Sequence, residues 1–333
     1  KSFKRNFFSK VLRFPISGSR DTFGITSAFP RCTAKSVYYK RDMFKMDYVV
    51  PKGICIEKKL PSSVAFCLSL GGLLTIADDV TTVIMMAEDA THRPGVSLSL
   101  SGEMFHSSND CAVFAGDTIS IVCRNIKIGV TLAFMEASFY HKDVLFGHVR
   151  HVKFLKLGYL LDSWYCPLIP LQLEIASWFS SDRSQRPNDQ KVLKRLSTES
   201  DIMLTDVLNL SKSFSGTNDV KGVHTFQCKV YKAIENPFNA LHGGAVACII
   251  NESVLRSLEL KATCGIRSAV VSSLEVSYLS PGKGLIDVIV TSLTKSVNKL
   301  QPNGSVDQDT QLVSWDTVAE ELKSAKEYQL DDI

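Results

Sequence analysis

Two kinds of apolar pattern alternate along the chain, and their order is repeated. One is a strand period, with apolar side chains at every second position so that a single face is buried. Ile119, Ile121 and Cys123 in "DTISIVCRNI" (Asp117 to Ile126) show it. The other is a largely apolar segment behind a Gly pair. In "GGLLTIADDVTTVIMMAEDA" the pair at Gly71 and Gly72 opens a segment from Leu73 to Ala87 that is long enough for a buried helix. A strand is predicted ahead of it at "GICIEKKL" (Gly53 to Leu60). Four more follow at "GVSLSLS" (Gly95 to Ser101), "DTISIVCRNI", "GVTLAFMEASFY" (Gly129 to Tyr140) and "LFGHVRHVKFL" (Leu145 to Leu155).

The same order then returns. "VHTFQCKVYKA" (Val223 to Ala233) reads as a strand and "LHGGAVACIINESVLRSLEL" (Leu241 to Leu260) as a second helix headed by a Gly pair. "AVVSSLEVSYLSPG", "LIDVIVTSLTKSV" and "TQLVSWDTVAEEL" supply its strands. Each unit is thus one helix followed by an antiparallel meander, with a further strand ahead of it. A sheet wrapped around a single helix buries that helix on nearly every side, which explains apolar runs without a polar stripe. The class is α+β. The units occupy 45–155 and 200–321, separated by a connector at 156–199 and flanked by an arm at 1–44 and a tail at 322–333. Pro167 and Pro170 break the apolar half of the connector, and a helix is expected near Gln190 to Leu196.

A chain of 333 residues with 45% hydrophobic and 22% charged residues has enough apolar material for two cores. The net charge of +4 is too mild to argue for nucleic acid, and no nucleic-acid motif is present. It is compatible with an anionic ligand such as a coenzyme bearing phosphates, or with a place in a larger assembly. Nine Cys are scattered without CxxC pairs, so they read as free thiols and small core residues, with no zinc pattern. No apolar run reaches the roughly 18 uncharged residues of a membrane span, so no spanning segment is expected. The stretch "KSFKRNFFSKVLRFPISGSR" is basic, rich in Ser and free of acidic residues. That is the composition of a mitochondrial transit peptide, and hence of a matrix-side protein; a solvated basic tail is the plainer reading.

"NPFNALHGG" (Asn236 to Gly244), with "SYLSPG" (Ser277 to Gly282), resembles the hotdog-fold acyl-CoA thioesterases that carry an N-x5-HGG-x6-D motif. The first unit resembles them through Gly71-Gly72, Asp79, "PGVS" (Pro94 to Ser97), "AGD" (Ala115 to Asp117), "GVTLAF" and "GHVRHVKFL". The resemblance implies two tandem hotdog domains that pair within one chain as a pseudo-dimer. It also implies sites in which one partner gives Asn and the His-Gly turn while the other gives Asp and Ser. The second unit would supply Asn236, His242 and Gly243, with Gly244 beside them, but has Asn251 at its Asp position and Val271 near its Ser position. The first has Val64 and Leu70 where Asn and His belong, yet keeps Asp79 and Ser97. The losses are complementary, so one interface would be complete and the other would lack a base.

Thioester hydrolysis needs donors for the carbonyl oxygen and a carboxylate beside the carbonyl carbon. N–H groups at a helix start serve the first need, and Gly lets the thioester approach. In this reading Asp79 activates water while the Gly243 N–H and Asn236 hold the oxyanion. Arg150 and Lys153 would stand at the rim for coenzyme A phosphates, coenzyme A being part of the substrate rather than a resident cofactor. The plainer readings are a steric Gly pair, a structural His242, a surface Asp79 beside Asp78, edge-strand charge at Arg150 and Lys153, and Ser97 as one of several Ser on one strand face. Glu252 is expected to be solvated. The competing function is a non-catalytic subunit of a mitochondrial assembly such as a ribosome, a respiratory complex or ATP synthase. The degenerate half-sites and the aromatic connector (Trp164, Tyr165, Trp178) point that way. Further dimerisation is an open expectation, and a hydratase motif is not found.

Overall fold

The computed structural model describes residues 38–40, 43–50, 52–59, 64–105, 113–169, 171, 208, 211–212, 223–230, 234–236, 240–261, 271–279, 285–292 and 315–321. Nearly all of the basic arm, the connector helix expected near Gln190 to Leu196, and the C-terminal tail lie outside the described residues.

Among the described residues, four strands precede the first α-helix: β1 (Tyr38–Lys40), β2 (Met43–Val49), β3 (Cys55–Lys59) and β4 (Val64–Leu68). The helix α1 runs Leu70–Glu88. Behind it come β5 (Val96–Met104), β6 (Thr118–Ile128), β7 (Leu132–His141) and β8 (Val144–Phe154). The C-terminal half contributes β9 (Ser211–Lys212), β10 (Val223–Lys229), helix α2 (Gly243–Lys261), β11 (Ser273–Ser277), β12 (Leu285–Ser292) and β13 (Trp315–Glu321). The sheets are ordered β1-β2-β6-β7-β8-β5-β11, β13-β12-β10-β9 and β3-β4, with every pairing antiparallel.

The expected four-strand meander is corrected in one respect. β6, β7 and β8 form a meander, but β5 returns to pair with β8 instead of β6. The chain between β5 and β6 is long enough for this crossover, and the move leaves the far edge of β5 for β11, a strand of the other half. Ser99 pairs with Ser277 and Glu103 with Ser273. Hydrogen bonds from Tyr278 N–H to the Leu98 carbonyl and from Met104 N–H to the Ser272 carbonyl extend the ladder at both ends. One sheet therefore contains strands from both halves.

Alternation on the strands sets the core. Phe44, Met46 and Tyr48 of β2, Ile119, Ile121 and Cys123 of β6, and Ala133, Met135, Ala137 and Phe139 of β7 are all buried. They face α1, whose Leu70, Leu73, Leu74, Ile76, Val80, Ile84, Met85 and Met86 are buried too. Each such side chain contributes about 1.5–3 kcal/mol of transfer free energy, so α1 is held by its surroundings rather than by helix propensity. Ser69 starts it, its Oγ accepting the Gly72 N–H at 3.0 Å. Among the described residues α1 alone is long and apolar enough to cross a membrane, and 83% of that window is buried inside the protein. Its apolarity is that of a core helix.

A few residues break the apolar pattern. Val149, His151 and Lys153 alternate inward on β8, and the last two are polar yet buried. On α1, Thr75, Asp78 and Thr81 are buried as well. These exceptions meet at one place.

Candidate active site

α1 and α2 pack against each other over their first turns, where small residues permit a close crossing. The Thr75 hydroxyl donates to the Gly71 carbonyl at 2.8 Å and lies 3.0 Å from both the Gly244 carbonyl and the Cys248 Sγ. A Cβ on Gly244 would fall 2.8 Å from the Thr75 Cα, so only glycine fits there. Thr75 and Cys248 are each the sixth residue of their helix, and Asp78 and Asn251 are each the ninth. The contacts follow this register. The Gly244 N–H donates to Asp78 Oδ2 at 2.9 Å, and the Gly71 N–H donates to Asn251 Oδ1 at 3.3 Å. Asp78, not Asp79, thus occupies the place that Asn251 holds on the other helix.

Around Asp78 the two halves assemble a buried polar cluster. Ser97, next to an irregularity in the β5–β8 register, donates from Oγ to Asp78 Oδ1 at 3.1 Å. Lys153 Nζ lies 3.4 Å from the same oxygen and donates to Thr82 Oγ1 at 2.7 Å. His151 bridges Ser97 Oγ (2.9 Å from Nε2) and Thr81 Oγ1 (2.7 Å from Nδ1). From the C-terminal half, His242 brings Nδ1 to 3.5 Å from Asp78 Oδ2 and Nε2 to 3.3 Å from Asp79 Oδ1. Tyr278, just past β11, donates its hydroxyl to the Gly243 carbonyl at 2.8 Å. A Cβ on Gly243 would meet Asp78 Oδ2 at 2.7 Å and Ser97 Oγ at 3.2 Å. The start of α2 therefore faces the carboxylate directly.

The electrostatics divide the two adjacent acids. Burial pushes the Asp78 carboxyl up, but Lys153, His242, His151 and the Gly244 N–H pull it down harder, and it stays ionised far below the usual range. Burial raises the Asp79 carboxyl, the Asp78 charge adds to that, and the His242 contact only partly opposes it. Burial would lower His242, yet the hydrogen bond to Asp79 and the two negative charges raise it overall. His151 goes the other way. Burial and the Lys153 charge push it down to about 3, so it is neutral at physiological pH. Tyr278 is raised by burial and by Asp78, and remains a hydrogen-bond donor.

The residues singled out from sequence fall into three groups. Ser97, His242, Gly243 and Gly244 meet at Asp78, and Asp79 touches the cluster through His242. Asn236 closes the turn before α2: its side-chain oxygen accepts the Ala240 N–H at 3.2 Å, and its own N–H donates to the Ala240 carbonyl at 2.7 Å. The rim placement of Arg150 and Lys153 is corrected, because neighbours of odd spacing on a strand point to opposite faces. Lys153 is inside against Asp78, while Arg150 is exposed on the outer face beside its cross-strand partner Glu136. Glu252 is not merely solvated, since it accepts from Arg256 Nε at 2.8 Å.

Four residues escaped sequence reasoning: Asp78, His151, Lys153 in its interior role, and Tyr278. For His151 and Lys153 a signal existed, two polar side chains on the inward phase of an otherwise apolar strand face. Tyr278 gave none. At the opposite helix start the equivalents are Leu70, Gly71 and Asn251, with Cys248 Cα 3.0 Å from a Cβ placed on Gly71. That end carries no carboxylate among these residues.

No family model matches the chain, and no curated protein matches it. Several solved structures similar to it in fold are thioesterases by description. Thioesterase superfamily member 2 of zebrafish is 21% identical over 45% of this chain and 96% of its own, with a TM-score of 0.35. A Lactobacillus plantarum protein described as an oleoyl thioesterase is 10% identical over 84% of this chain and 91% of its own, with a TM-score of 0.47. A hypothetical thioesterase from Streptococcus pneumoniae, solved with coenzyme A, is 15% identical over 36% of this chain and 84% of its own, with a TM-score of 0.29.

Proposed function

We propose that the protein is an acyl-CoA thioester hydrolase with one composite site between two hotdog-like halves. The observation that carries this reading is the meeting of Asp78 from α1 with the start of α2, at 2.9 Å from the Gly244 N–H. Ser97, Lys153 and His242 surround the same carboxylate. A buried, ionised carboxylate among cations is an expensive way to join two helices. Apolar side chains of similar volume are often neutral or stabilising by comparison, so chemistry is the better reason for the cluster.

In this reading the thioester carbonyl oxygen lies at the Gly243 N–H, which has no acceptor among the described residues and sits at the positive end of α2. Asp78, ionised at every working pH, holds the attacking water, and the Ser97 hydroxyl orients the carboxylate. Lys153 keeps the negative charge in place by pairing with it from inside the sheet. The acyl-CoA substrate class rests on the sequence resemblance, and a mitochondrial matrix location on the composition of the N-terminal arm.

One observation favours the alternative of a non-catalytic subunit of a mitochondrial assembly. Asp78 itself fills the space in front of Gly243, where a substrate carbonyl would have to enter. Purified protein offered a panel of acyl-CoAs, with free thiol as the readout, separates the two. The hydrolase reading expects turnover that falls at least about 100-fold in Asp78→Asn, the scale of losing one electrostatic element of a site. Turnover no higher than that of the variant, across all chain lengths, supports the subunit reading instead.

A further inference from the structure

We propose that Asp79 is a positioning residue: it holds the His242 ring with its hydrogen on Nε2, leaving Nδ1 to accept the proton of the attacking water and hand it to the departing thiolate. This role rests on the hydrolase reading and assigns the proton carrier that reading lacks.

The ring's tautomer follows from its contacts. The Gly244 N–H points at His242 Nδ1 at 3.1 Å while also reaching Asp78 Oδ2, so Nδ1 presents a lone pair. The hydrogen is then on Nε2, 3.3 Å from Asp79 Oδ1. Asp79 Oδ2 is buried with no hydrogen-bond partner among the described residues, so its charge is poorly solvated and directed at the ring. Both side chains are nearly enclosed, at 12% and 13% exposure, which leaves their interaction little screened by water. The arrangement matches the general logic of a base whose far nitrogen is oriented by a carboxylate.

Among the described residues, the charged or titratable groups beside His242 come from three elements. Asp78 and Asp79 come from α1, His151 and Lys153 from β8, and Tyr278 from beyond β11. Burial lowers the ring's proton affinity and the Lys153 ammonium adds to that, while the two carboxylates raise it and prevail; His151 and Tyr278 are neutral. Asp78 is a poor proton acceptor itself, since Lys153 and the helix N–H hold it ionised. His242 is the better base by its raised proton affinity.

The step balances. The water oxygen forms a bond to the carbonyl carbon, the carbonyl π pair moves onto oxygen at the Gly243 N–H, and the water proton passes to His242 Nδ1. On collapse that pair re-forms C=O, the C–S bond breaks with its electrons going to sulfur, and sulfur takes the proton from Nδ1. The products are a carboxylic acid and a thiol, and the ring returns to its starting form.

The test uses the full chain with 15N-labelled histidine. Ring NMR reports the His242 tautomer and titration midpoint, and kcat/KM against pH is measured for wild type, Asp79→Asn and Asp79→Glu. The expected wild-type ring is protonated on Nε2 when neutral, with a midpoint above the ordinary histidine value. In Asp79→Asn the shape is kept and the charge lost. The midpoint falls, the acidic limb of kcat/KM moves to lower pH with it, and kcat drops at least about 10-fold; Asp79→Glu restores part of the loss. An Nδ1–H ring, or turnover with an unshifted midpoint in Asp79→Asn, overturns the role while the hydrolase reading survives. Absence of any turnover in wild type removes the hydrolase reading and this role together, even where the NMR shows the pairing.

Discussion

Asp78 keeps its charge in a place where burial alone would remove it, and the residues that allow this define the site. Lys153 opposes the burial most, followed by His242, His151 and the Gly244 N–H, and these partners come from β8, the turn before α2 and α2 itself. His151 has the opposite relation to pH. Its folded-state pKa is depressed to about 3 against an ordinary 6.5, so between those values the unfolded chain binds the extra proton. Stability is therefore lost as pH falls from about 6.5 towards 3, at up to about 1.4 kcal/mol per pH unit. Urea unfolding at pH 6.5 and 4.5 is expected to show a smaller acid loss in His151→Gln than in wild type; equal losses would contradict the buried neutral ring. At this scale the sequence was readable up to one residue. Counting from each Gly pair selects Asp79 as the partner of Asn251. But Ser69 caps α1 so that its glycines are the second and third helical residues, whereas those of α2 are the first and second. Where a helix starts depends on its cap, and the Gly spacing does not encode it.

The helix crossing and the shared strand edge do at the scale of elements what Asp78 does among residues. Gly244 is the tightest point of the α1–α2 contact, with Thr75 Cγ2 only 2.5 Å from a Cβ placed on it. Ala in place of Gly gains at most about 1 kcal/mol in helix propensity. Forcing a methyl against the Thr75 backbone costs about 1–3 kcal/mol. Gly244→Ala is therefore expected to lower stability in chemical denaturation, and an unchanged or raised midpoint would show that the helices cross less closely. Strand and helix positions were legible because period-2 alternation and buried apolar runs are local signals. The order of strands in the sheet was not. Nothing within β5 says that its free edge is taken by β11, a strand more than half the chain away, because backbone pairing partners leave no mark on side-chain identity.

At the scale of the whole molecule, the described residues of the cluster are divided between the two halves. The N-terminal half has Asp78, Asp79, Ser97, His151 and Lys153, and the C-terminal half has His242, Gly243, Gly244 and Tyr278. The complementarity itself was visible in the sequence, since each half lacks what the other keeps. The pairing geometry that makes it useful required the fold. The most direct measurement expresses 1–199 and 200–333 separately and together, and follows thiol release from acyl-CoA. The account predicts that the halves co-purify through the β5–β11 edge and the α1–α2 contact, that turnover appears only with both present, and that Asp78→Asn in the first half abolishes it. Turnover by either half alone, or a co-expressed pair indifferent to Asp78→Asn, would contradict a site shared between them.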